Sequence, residues 1–261
     1  MFSSNIMKIT CDIVISLLFC TSLSVLVVNQ SSVVWCVFGI GGLWSTRILY
    51  KALKWEDGFT NWFIVVKSAT SVISVILMNV FRQQGWYTSN THFITLFLLN
   101  LNIFEAMYRE TELGYFANGI VALILMCTIP YSVSTSEIML LAEETRQNGY
   151  FVFPLSMSWI LLYTSWNACF SYGDNMSWQT RIVLIPPIII SIYNVKLWLG
   201  ARVLLLLLHL ILRASQVIWF YQPGASALTP VAGSIKNSIA ICHLWGKANI
   251  FMAIVFVVHL V

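Results

Sequence analysis

Charged side chains are scarce in this 261-residue chain: Asp, Glu, Lys and Arg together make up 9% of it, against roughly a quarter in an ordinary soluble domain. So little charge excludes a soluble globular protein, an intrinsically disordered chain and a nucleic-acid binder, each of which needs polar or basic surface. Signatures of soluble chemistry are missing too. There is no GxSxG elbow, HExxH pair, Walker A loop, GxGxxG turn or paired-Asp phosphate motif, so no catalytic residue or cofactor is assigned. The six cysteines (Cys11, Cys20, Cys36, Cys127, Cys169 and Cys242) show no CxxC or other ligand spacing and lie in or beside apolar runs. They read as small buried hydrophobes, and no metal is expected.

What the chain has is apolar sequence. Hydrophobic residues make up 59% of it, and its mean hydropathy is +0.81. Charges fall mostly in short gaps between long apolar runs, which predicts an all-α fold: a polytopic transmembrane helical bundle forming a single domain over 1–261. Nine spans are expected, at about 11–28, 33–50, 62–81, 93–110, 116–134, 151–171, 181–195, 198–221 and 239–261. Residues 181–221 would make a helix of about 60 Å at 1.5 Å per residue, so the reading divides them at a hairpin near Asn194, Lys196 and Gly200. Eight spans with a re-entrant segment also fit. The first run carries Lys8 ahead of it but no A-x-A cleavage site behind it, so it reads as a retained helix.

Positive residues set the expected orientation. With the N-terminus cytoplasmic, Lys8, Arg47, Lys51, Lys54, Arg109, Arg181 and Lys236 fall inside, and Arg82, Arg146, Lys196 and Arg202 outside. The acidic segment 134–150 then lies outside, as a solvated face. Gly39, Gly41 and Gly42 in the second span read as close helix packing.

Ionisable side chains in hydrocarbon are costly, so each one points to a cavity, a pathway or a partner. Lys67 shares a helix face with Ser71 and Ser74; Asn102, Glu105 and Arg109 share another, with Glu105 and Arg109 at ion-pair spacing. Trp166 and Asn167 lie near the end of the sixth span. Arg202, His209, Arg213 and Gln216 form a polar stripe on the eighth, and His243 and Lys247 sit one turn apart on the ninth. In the N-in topology most of these converge on the cytoplasmic half. Glu105 is the one carboxylate expected in a span interior, against Lys67, Arg213 and Lys247. A positive excess in a low-dielectric site calls for an anion, because guanidinium stays charged.

The expected ligand site is therefore Glu105, Asn167, Arg213, His243 and Lys247, supported by Lys67, Asn102, Arg109, Trp166, Arg202 and His209. It would serve a transporter or solute-binding protein taking a small anion or a proton-coupled solute. A non-catalytic immunity, assembly or sensor component whose buried polar groups only fix packing is the main alternative. An integral-membrane enzyme acting on an anionic lipid is another.

The runs NIFEAMYRE (102–110), YTSWNACFSY (163–172) and VKLWLGAR (195–202) resemble the recurring blocks of a family of multi-pass bacterial membrane proteins of unknown function. The resemblance implies a bacterial inner-membrane location and carries over no activity. It places emphasis on Asn102, Glu105, Trp166, Asn167 and Arg202.

Overall fold

An apolar segment satisfies its backbone N–H and C=O groups most simply as a helix, and every regular element described is helical. The computed structural model describes residues 18, 20–25, 32–52, 59–84, 86–129, 133–173, 178–220 and 235–260, and no strand occurs among them. After a helical segment at 20–25 come α1 (Ser32–Ala52), α2 (Phe59–Gln84), α3 (Ser89–Glu112), α4 (Phe116–Cys127), α5 (Thr135–Asn148), α6 (Met157–Gly173), α7 (Trp178–Tyr193), a 3-10 turn (Val195–Leu197), α8 (Trp198–Phe220) and α9 (Ile235–Leu260).

Local sequence explains where these helices start and stop. At α3 the Thr88 hydroxyl accepts the Thr91 N–H at 3.3 Å while the Thr91 hydroxyl accepts the Thr88 N–H at 2.7 Å, a reciprocal N-cap. Ser134 and Glu137 build the same device at α5, and Gly149 ends that helix with φ of 66°, a left-handed conformation that glycine adopts without a Cβ clash. The acidic segment read as a solvated face is thus itself a helix. The break expected near Asn194 is present: the Asn194 side chain accepts the Lys196 N–H at 3.0 Å and caps the 3-10 turn between α7 and α8.

Two helix groups emerge from the packing. α1, α2, α7 and α8 form one, with α8 against α1, α2 and α7; α4, α6 and α9 form the other. α3 joins them by packing on α2 and on α4. In the first group, a Cβ built on Gly42 would meet Leu207 at 2.6 Å and Val72 at 2.8 Å, so a residue without a side chain lets α1 approach α8 and α2 closely. In the second, a Cβ on Gly246 would lie 3.2 Å from both Ala117 Cβ and the Asn118 nitrogen, which brings α9 onto α4.

Two segments, Val195–Leu212 and Ile241–Val258, are each 18 residues long with mean hydropathy of 2.0 and 1.8, enough by length and composition to cross a bilayer. Phe116–Cys127 and Val183–Tyr193 are shorter apolar helical stretches. Large apolar side chains lie exposed on α1, α3 and α9, including Val33, Ile40, Phe93, Phe97, Leu244, Phe251 and Val258.

Candidate functional site

The first polar cluster forms where α2, α3 and α8 meet. Lys67 Nζ lies 3.6 Å from Glu105 Oε2 and donates a 2.7 Å hydrogen bond to the Asn102 carbonyl, so one cation serves two acceptors on α3. Thr70 Oγ1, one turn along α2 from Val66, also reaches Glu105 Oε2 at 3.5 Å. Ser71 and Ser74, buried on α2, turn their hydroxyls back to the carbonyls of Lys67 and Thr70. Such back-bonding removes their own unsatisfied donors and leaves them little to offer a ligand.

Arg202 adds a second positive charge within electrostatic reach of Lys67. Its position follows from the proline pair in α7. Pro187 has no N–H to give the Val183 carbonyl four residues back, and Arg202 NH1 donates to that carbonyl at 3.1 Å. The guanidinium also lies 5.7 Å from the centre of the Tyr163 ring, a cation–π arrangement, and Tyr163 in turn stands edge-on to Trp198 at 5.0 Å. Arg202 is buried, and among the described residues neither its Nε nor Glu105 Oε1 has a hydrogen-bond partner. Beside these groups a partly open recess of about 20 Å³, lined by Ser74, Asn102, Tyr163 and Arg202 among others, has room for about one water molecule.

The second cluster lies where α3, α4, α6 and α9 meet. At its centre is Glu110, fully buried. Asn118 Nδ2 donates to Glu110 Oε1, and Trp166 Nε1 donates to Glu110 Oε2 at 2.9 Å. The chain of bonds continues outward: Asn249 Nδ2 donates to Asn118 Oδ1 at 3.0 Å, Ser165 Oγ to Asn249 Oδ1 at 2.6 Å, and Trp245 Nε1 to Ser165 Oγ at 3.2 Å. Asn118 Nδ2 further donates to the Trp166 carbonyl at 3.1 Å. Every donor along this chain is neutral, and no ion pair to Glu110 occurs among the described residues.

The residues singled out from the sequence thus separate. Glu105, Asn102, Lys67 and Arg202 come together, while Trp166 belongs to the Glu110 cluster. Asn167 is buried on α6 but takes no part in the hydrogen bonds of either cluster. His243 and Lys247 lie on the exposed face of α9, with the His243 ring edge-on to Tyr115 at 6.2 Å. α9 packs on α4 and α6, away from the Lys67–Glu105 pair. His209 is half-buried on α8, and the side chain at 213 lies outside the described residues.

Two details differ from the sequence reading. Arg109 pairs with Glu112 at 3.0 Å, three residues on, because Glu105 is turned toward α2 and taken by Lys67. Glu105 is also not the sole buried carboxylate: Glu110, the last residue of the expected span 93–110, is the more deeply buried of the two. The available signal was spacing. Glu110 lies five residues beyond Glu105, about 140° around the helix, so one of them faces a different neighbour from the other. Comparison of the chain with protein-family models, with curated proteins and with solved structures found no match.

Proposed function

We propose that the chain is a multi-pass membrane protein of the bacterial inner membrane that binds, and moves across the bilayer, a small anion or an anion coupled to a proton. The observation that supports this reading is the buried cluster at α2, α3 and α8. Lys67 pairs with the one carboxylate, Glu105, while a second cation, Arg202, lies within electrostatic reach of Lys67, lines a small recess and keeps an N–H without a partner among the described residues. An uncompensated positive charge away from water is stabilised by an anion that accepts from it. Arg202 is the residue expected to hold the anion, Lys67 to balance Glu105 when the site is empty, and Glu105 to take a proton if the solute carries one.

Exposed apolar side chains on α1, α3 and α9 support the membrane setting, since they form a surface that lipid covers without penalty. Nine spans with the N-terminus cytoplasmic remain the proposed topology. Purified protein reconstituted into liposomes tests the function: chloride, nitrate, acetate or phosphate flux above that of empty liposomes, lost in Arg202→Gln, supports it. No flux of any of the four contradicts it.

A second reading is favoured by the volume of the recess, which holds about one water. In it the buried charges only fix helix packing, as in an assembly or sensor component. Arg202→Gln would then lower stability and leave no flux to lose.

A further inference from the structure

The Glu110 cluster plays no part in the anion reading, and its chemistry is of another kind. A fully buried carboxylate needs either a cation beside it or a proton on it, because an isolated charge in a low-dielectric interior is among the most unfavourable arrangements a protein can contain. The elements packed around Glu110 supply no cation at ion-pair distance among the described residues. On α3 itself, Arg109 is engaged by Glu112 and Glu105 by Lys67. Ahead of α4 stands Tyr115, and on α4 the neutral Asn118. α6 presents Trp166 and the thiol of Cys169; α9 presents Asn249 and the thiol of Cys242, while its His243 and Lys247 are exposed.

We propose that Glu110 is a proton-binding site, and that the amides of Asn118 and Asn249 report its occupancy to α9. With Glu110 ionised, the hydrogen bonds run one way, from Trp245 through Ser165, Asn249 and Asn118 to the carboxylate. Proton uptake forms an O–H bond on the carboxyl, and that O–H now needs an acceptor. Turning the Asn118 amide supplies its carbonyl oxygen. Asn118 Nδ2 then points at Asn249, which turns in the same sense and offers its own Nδ2 to Ser165. The Trp166 carbonyl, which accepts the other Asn118 hydrogen bond, loses its donor in that state. Protonation therefore works against one contact between α4 and α6, and reverses the polarity of the only amide pair described between α4 and α9. The occupant is a proton, since both carboxylate oxygens already accept N–H donors and a metal ion would have to displace them.

Infrared spectroscopy of the purified full-length chain tests this. Exposed carboxyls are ionised at neutral pH, so a protonated-carboxyl C=O stretch seen there belongs to a buried acid. The proposal expects such a band, its disappearance on alkaline titration, its loss in Glu110→Gln, and its survival in the exposed control Glu112→Gln. Absence of the band at neutral pH, or a band unchanged by Glu110→Gln, overturns it. So does a band that bleaches on addition of sodium at fixed pH, which would make the occupant a metal cation. If Glu110→Gln cannot be purified, Asn118→Ala serves: it removes the acceptor of the O–H, and an unshifted band overturns the coupling to the amides.

Discussion

Two carboxylates five residues apart on α3 are met in opposite ways. Glu105 faces a lysine at 3.6 Å across the α2 interface, and a second cation, Arg202, lies near that lysine. Glu110 faces two neutral donors, an amide and an indole, at the junction with α4, α6 and α9. The difference lies in the charge that each neighbourhood sets against its carboxylate. Around Glu105 stand Lys67 and, beyond it, Arg202, which is the ground of the proposed anion site. Around Glu110 no cation at ion-pair distance occurs among the described residues, which is the ground of the proposed proton site.

Removing the cation breaks the comparison most severely. Lys67→Met leaves Glu105 buried without an opposite charge and is expected to lower stability by about 3 kcal/mol, the scale for breaking a buried pair from one side. The double variant Lys67→Met with Glu105→Gln should recover most of that loss, and denaturation of the detergent-purified protein measures both. On the Glu110 side the same kind of change should be mild. Glu110→Gln is expected to cost less than about 1.5 kcal/mol, because the amide presents one acceptor and one donor, as the protonated acid does, and volume is conserved.

Helix approach sharpens the contrast further. Gly246→Val places a branched side chain where a Cβ already lies 3.2 Å from Ala117 and Asn118. It should destabilise by about 1–3 kcal/mol through overpacking and shift the fluorescence of the buried Trp166 and the half-buried Trp245. Glu105 and its neighbours should be left undisturbed, so anion-dependent properties should survive.

The smallest effect is expected at α5, outside both clusters. Ser134→Ala removes the N-cap and should cost about 1 kcal/mol, read by hydrogen exchange of the first turn. Backbone and side-chain hydrogen bonds from Ser134 hold the Glu137 carboxyl below its ordinary range. Because the folded state favours the ionised form, this contribution is fully present above the ordinary carboxylate range and is lost as pH falls through the lowered value. Protection of the α5 first turn, its exchange rate relative to the intrinsic rate at each pH, should therefore fall on acidification, and Glu137→Gln should remove that dependence.

The helical class was legible from composition and apolar runs, as was the break at Asn194, because Asn, Lys and Gly interrupt an otherwise continuous stretch. Gly42 was legible for a similar reason: a glycine in an apolar helix points to a close neighbour, here Leu207 and Val72. The α5 helix was not, because its charged sequence carries no apolar run, and its signals were local caps at Ser134, Glu137 and Gly149. The candidate site was legible only in part. Helical spacing put Glu105 and Arg109 together, yet a residue on a helix pairs with whatever lies across the interface, and Lys67 is 38 positions away in sequence. Trp166 stood out by its place near a span end. Its role as an indole donor to Glu110 depends on how α6 docks against α3 and α4, and no spacing within one segment encodes that.

The claim most open to direct contradiction is that the α2, α3 and α8 cluster holds an anion through Arg202. Thermal unfolding of the detergent-purified protein, titrated with nitrate at constant ionic strength, tests it, since a ligand of the folded state raises the midpoint with concentration. The account predicts a saturable rise in the native chain that Arg202→Gln abolishes while still folding. A midpoint indifferent to nitrate, chloride, acetate and phosphate alike, or a rise that Arg202→Gln leaves intact, would contradict it.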